Sequence, residues 1–151
     1  MKKHVEHEQL ILEILFQLTN TSRYKISKKF MQHGKTSVYL HSISVAYTSC
    51  YIAEKYHLKV DYDSLIIGAL LHDYFLYDWH DKLSCHKRPH GFFHPYAALK
   101  NAENDFELNW RIRNIIMRHM FPLTPIPPKC MEAWIVCLAD KLCSTKETVK
   151  R

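Results

Sequence analysis

An imidazole and a carboxylate stand side by side at His72 and Asp73, directly after the apolar run Leu65-Ile66-Ile67-Gly68-Ala69-Leu70-Leu71. Burying either group without a partner is costly, or moves its pKa until the charge is gone. Two more such groups interrupt apolar helical patterns: His41 within VYLHSISVAY and Asp140 within WIVCLADKLC. Imidazole and carboxylate are the usual ligands of zinc, iron and manganese. One metal ion held by His41, His72, Asp73 and Asp140 would satisfy all four groups at once. Neighbours on a helix point about 100° apart, but at its last turn both can lean towards one centre. Asp73 would then have a second oxygen free for a second ion. More imidazoles follow, with His86, His90 and His94 after the pair and His119 closing the helical pattern NIIMRHM.

Each group also has an ordinary explanation. A lone His in an apolar helix is commonly a satisfied core residue. His72 and Asp73 could cap a helix C-terminus, and Asp140 could pair with Arg113 or Arg118. Four to six such coincidences on separate elements are harder to accept than any one.

The elements that must position these groups read as helices. Helical periodicity covers residues 4–18, 22–32, 37–56, 63–73, 95–106, 109–119 and 129–147, with Asp63 as an N-cap and Pro95 at a first helical position. No strand alternation competes for more than a few residues. Residues 74–94 form a long loop rich in aromatics and His, and FPLTPIPP at 121–128 cannot be helical. His4, His7 and His57 fall on expected surfaces.

At 151 residues the chain fits one all-α domain with a real core. It carries 21 basic against 15 acidic residues, a net charge of +6, which favours an anionic partner. Its longest apolar run is seven residues, too short to cross a bilayer. The start is basic, but Glu6, Glu8 and Glu13 interrupt the apolar region a leader would need and no small-residue cleavage site follows, so residues 1–18 read as an amphipathic helix. Five cysteines without CxxC spacing suit a reducing, cytoplasmic location.

The order His41, His72-Asp73, Asp140, together with the wording HGFFHP, RHMFPLTPIPP and CLADKLCS, resembles the HD-domain metal-dependent phosphohydrolase superfamily, in particular small single-domain bacterial members. The resemblance runs from near Gly34 to near Glu147. It implies a compact bundle of about six to seven helices with the metal site in its centre, an N-terminal helical extension over 1–33 and an HD core over 34–148. Members with two further His hold two metals, and His94 and His119 match those positions. The implied ligand set is His41, His72, Asp73, His94, His119 and Asp140, with Asp73 bridging two divalent ions. Iron or manganese fits best, with zinc, magnesium, nickel and cobalt as alternatives. His90 is the alternative to His94. Tyr74-Phe75-Leu76 follows the pair where several families have Ile-Gly-Lys, and the Gly-Tyr-Pro signature of cyclic dinucleotide phosphodiesterases is absent.

The implied activity is hydrolysis of a phosphate ester or anhydride, of a nucleotide or similar small phosphorylated metabolite, by a hydroxide that the two metals share. Asp73 and His90 are the expected catalytic groups, and Lys82, His86, Lys87, Arg88 and Arg118 would hold the phosphate. The aromatics Tyr74, Phe75, Tyr77, Trp79, Phe92 and Phe93 could stack a base or simply fill the core. Two other functions are open at this point: a non-catalytic HD module sensing a phosphorylated ligand, and a nucleic-acid-binding or nuclease protein. The basic residues are spread along the chain, which speaks against the last.

Overall fold

The structure, a computed structural model, describes residues 4–33, 35–75 and 90–149, the side chains of 33 and 90–92 excepted. Among the described residues there are six α-helices, one 3₁₀ helix and one two-stranded hairpin. In chain order they are α1 (Glu8–Thr21), the 3₁₀ helix Arg23–Lys29, β1 (Met31–His33), β2 (Thr36–Ser37), α2 (Val38–Lys55), α3 (Tyr62–Leu71), α4 (His90–Asp105), α5 (Trp110–Arg118) and α6 (Met131–Val149). This is the all-α bundle that the periodicity predicts.

Helix α3 is apolar on every side, so it can sit only in the middle, with Leu65, Ile66, Ala69, Leu70 and Leu71 fully buried. Around it pack α2, α5 and α6, and α4 lies against α5. Helix α2 offers small residues on its buried face (Ser42, Val45, Ala46, Ser49, Cys50, Ala53), which lets its neighbours approach closely. Helix α5 is amphipathic, burying Ile112, Ile115 and Ile116. None of the described helices is long and apolar enough to cross a membrane.

Helices α3 and α5 approach closely at Gly68. A Cβ added there would lie 2.4 Å from Ile115 Cδ1 and 3.0 Å from Ile115 Cβ. Gly68 sits one helical turn before His72, and Ile115 one turn before His119. The missing side chain therefore lets α3 and α5 bring these two imidazoles together, ring centroids 4.8 Å apart and edge-on. Gly68→Ala is expected to destabilise the protein despite alanine's better helix propensity. Overpacking costs about 1–3 kcal/mol and propensity returns about 1. A melting temperature lower by about 2–6 °C is the expected reading for a net loss near 1–1.5 kcal/mol. An unchanged or higher value would show that α3 and α5 are not in register here.

Several local expectations are corrected. Residues 22–32 are not one helix. Ser22 Oγ accepts the Tyr24 N–H at 3.1 Å, a 3₁₀ helix follows to Lys29, and the chain then extends through Phe30 into β1. Helix α1 begins at Glu8 and not at residue 4, because the Glu54 carboxylate takes the N–H groups of Glu6 and His7 at 3.0 and 3.1 Å. His7 is half-buried, its ring stacked on Tyr62. Asp61, not Asp63, precedes α3, and its carboxylate accepts the Ser64 hydroxyl. Helix α4 starts at His90, so Pro95 lies inside it. A proline there removes one intrahelical hydrogen bond, and the helix nonetheless continues to Asp105.

Candidate metal centre

The polar residues of the core converge on one place. His41, His72, Asp73, His94, His119 and Asp140 are all buried. His41 comes from the first turn of α2, which Ser37 caps by accepting the Leu40 N–H at 3.2 Å. His72 closes α3 and Asp73 follows it, while His119 closes α5. His94 projects from α4 and Asp140 from the middle of α6. His41, His72, Asp73 and Asp140 place one ligand atom each within 4.8 Å of one another, and Asp73, His94 and His119 do the same. Asp73 belongs to both groups.

Hydrogen bonds fix how each imidazole faces. His72 Nδ1 donates to Ala69 O at 2.6 Å, and His119 Nδ1 donates to Ile116 O at 2.7 Å. A carbonyl only accepts, so the proton of each ring sits on Nδ1 and Nε2 is turned inwards. His41 Nδ1 faces the Glu147 carboxylate at 2.8 and 3.0 Å, which leaves its Nε2 at 2.8 Å from Asp140 Oδ1. Outer partners of this kind orient metal-bound histidines. His94 Nε2 and His119 Nε2 are 2.8 Å apart, and both lie near Asp73 Oδ1, at 3.1 and 3.3 Å.

The charges are coupled. Burial alone would lower the pKa of His41, but its bonds to Asp140 and Glu147 outweigh this and push it up to about 9. Burial opposes ionisation of His72 as well, yet the charges of Asp73 and Asp140 hold its pKa well above the usual histidine range. Burial would raise Asp73, but His72, His119 and His94 keep it well below the usual carboxylate range. Asp140 is lowered in the same way, against burial, by His41 and His72. For His119 burial dominates, aided by His72 and His94, and its pKa falls, so the ring is neutral at pH 7.

Two atoms of the cluster, His72 Nε2 and Asp73 Oδ1, are buried without a hydrogen-bond partner among the described residues. Buried polar atoms are rarely left so. Convergent imidazole lone pairs and carboxylate oxygens, with no thiolate among them, suit divalent cations of the iron, manganese or zinc kind. The residues fit a metal site.

The family model for the HD domain matches residues 38–145. The chain belongs to the HD-domain family. No curated protein and no solved structure matches it. In this HD domain the alternative pairing of Asp140 with Arg113 is not seen, since Arg113 pairs with Glu103 at 3.2 Å. Tyr74 and Phe75 are 1% and 0% exposed and fill the core. Arg118 ends α5 beside His119, half-buried, and its Nε is buried with no hydrogen-bond partner among the described residues. Lys82, His86, Lys87 and Arg88 lie outside the described residues. His90 opens α4, but its side chain is also outside them.

Two contributors are absent from the sequence reading. Glu147 stands seven residues after Asp140 on α6, two turns along the same face, and the two carboxylates grip His41 from opposite sides. That spacing was the available signal. Gln32 donates to Asp73 Oδ2 at 2.7 Å from β1. Nothing in its local pattern marks it.

Proposed function

We propose that this HD domain is a metal-dependent phosphohydrolase that cleaves a phosphate ester or anhydride of a nucleotide or similar small phosphorylated metabolite. The observation that carries this reading is the shared carboxylate: Asp73 belongs both to a group of four donors and to a group of three. Such sharing suits two divalent ions, iron or manganese by donor type, held by His41, His72, Asp73 and Asp140 on one side and by Asp73, His94 and His119 on the other. Bound there, two divalent ions supply a Lewis acid for the phosphoryl oxygens and lower the pKa of water.

The chain's own residues do the rest. The bonds from Ala69 O, Ile116 O and Glu147 hold three Nε2 atoms inward before any ligand arrives. Arg118, which precedes His119 at the end of α5 and whose Nε has no hydrogen-bond partner among the described residues, is a proposed phosphate contact, as are Lys82, His86, Lys87 and Arg88 from the sequence. His90 is the proposed leaving-group acid. The anionic substrate agrees with the net charge of +6.

The test is a screen of nucleotides and phosphate esters with protein purified without chelator, reading phosphate release beside metal content. About two ions per chain and turnover of one substrate class is the expected result. Tight binding of a phosphorylated ligand without turnover, at full metal occupancy, would replace the hydrolase with a sensor. Absence of metal after anaerobic reconstitution would end both readings.

A further inference from the structure

The two oxygens of Asp73 divide between the two donor groups. Oδ2 faces His72 Nε2 at 3.2 Å and His41 Nε2 at 3.5 Å, whereas Oδ1 faces His94 Nε2 at 3.1 Å and His119 Nε2 at 3.3 Å. The terminal torsion of an aspartate is soft, so a free carboxylate would rotate and blur this division. A bond from outside the six stops it. Gln32, only 6% exposed, donates Nε2 to Oδ2 at 2.7 Å. A carboxylate only accepts, so the amide must present its nitrogen here. The other amide atom, Oε1, is left buried without a hydrogen-bond partner among the described residues. Leaving a buried carbonyl unsatisfied costs about 1–3 kcal/mol, so packing alone does not account for a glutamine at this position.

The N-terminal segment delivers this side chain on a firmly anchored frame. Tyr24 donates its hydroxyl to Leu70 O at 2.9 Å, just before the His72-Asp73 pair. Arg23 makes a two-pronged pair with Asp105, and the same carboxylate accepts the hydroxyl of Tyr74, just after the pair. Phe30 O takes the N–H of Val38 at 2.7 Å, which ties the hairpin to the start of α2. The segment is thus attached on both sides of Asp73. It precedes residue 38, where the family match begins.

We infer that Gln32 is a positioning residue of the metal centre, supplied by the N-terminal segment: it pins Oδ2 of Asp73 and so reserves Oδ1 for the His94–His119 group. The inference rests on the reading that two ions share Asp73. The His94–His119 group has one carboxylate and three donors in all, so it depends on that oxygen more than the four-donor group does.

Metal-free full-length protein titrated with Mn²⁺ provides the test, comparing wild type with Gln32→Met, which has similar length and no donor. In wild type, two sites per chain and an exchange-coupled dimanganese signal in electron paramagnetic resonance are expected. In Gln32→Met one site weakens roughly 10–100-fold, the range found when an outer partner of a metal ligand is removed. The coupled signal then gives way to that of isolated Mn²⁺, while melting in excess EDTA shows the variant folded. Gln32→Glu keeps the shape but sets a carboxylate against Oδ2, and it is expected to lose the coupled signal too, should Gln32→Met not fold. Two unchanged affinities and an unchanged coupled signal in these variants would overturn the inference. A wild type that takes only one ion would overturn the two-ion reading beneath it, a separate and earlier failure.

Discussion

Asp73→Asn is expected to abolish turnover and to leave at most one weakly held ion per chain. Asp73 is the one member common to both donor groups. Without its charge the His94–His119 group has no carboxylate, and the other group relies on Asp140 alone. Loss of a preorganised charge at the reacting centre costs about a hundred- to a thousandfold per group, and here the second ion goes as well. The expected fall in turnover is therefore more than about a thousandfold. Asparagine keeps the shape and can still accept from Gln32, so it separates lost charge from lost packing. Asp73→Ala should lose both. Metal content per chain, measured beside thermal unfolding in EDTA, distinguishes them. Retention of two ions by Asp73→Asn would remove the shared carboxylate from the centre of the proposal.

A second large effect belongs to the metal-free protein and its pH dependence. There His41 is an imidazolium that donates one N–H to Asp140 and the other to Glu147, with its pKa pushed up to about 9. Unfolded, it returns to the ordinary value near 6.5. A raised pKa means stability that is complete below about 6.5 and is lost as pH climbs through about 9. The loss is on the order of 3 kcal/mol, or about 6–12 °C in melting temperature for a chain of this size. His72, also raised, acts in the same direction. Asp73 and Asp140 are lowered, so their contribution is present above the ordinary carboxylate pKa and disappears only in acid. Melting in EDTA from pH 5 to 10 should thus fall between about 6.5 and 9, while below about 6.5 His119, whose pKa is lowered, acts in the opposite sense and trims stability as pH drops. With Mn²⁺ saturating, the alkaline fall should vanish, because a cation takes the place of the proton. A level profile across that window in EDTA would mean that His41 is not the charged partner of Asp140 and Glu147.

The parts of the site that were legible from sequence share a cause. His72, Asp73 and Asp140 interrupt apolar patterns, and a buried polar group in an apolar helix is visible without any tertiary information. The helices that carry them follow from the same periodicity. Gln32 was invisible because its reason for being there lies 41 residues away in sequence. The hairpin that carries it pairs through only two positions, Met31 with Ser37 and His33 with Thr36, too few for alternation to show. Glu147 looks like an ordinary charge near a helix end until His41 is placed between it and Asp140. Pro95 misled in the opposite sense, a strong local signal for a boundary where the helix in fact has a start five residues earlier. Long-range bonds, not local preference, decided the places of Gln32 and Glu147.

Helices α3 and α5 both stop at the cluster, closed by His72 and His119. A helix carries the equivalent of about half a negative charge at its C-terminal end. Two such ends meet the carboxylates of Asp73, Asp140 and Glu147 inside a chain whose net charge is +6. Carboxylates and helix C-termini thus gather at the centre of a chain whose overall charge is basic. If the proposed phosphate ester is the substrate, such a centre repels it until cations reverse the inner sign. On that proposal, the direction in which two helices run would set the order of arrival, dications before phosphate.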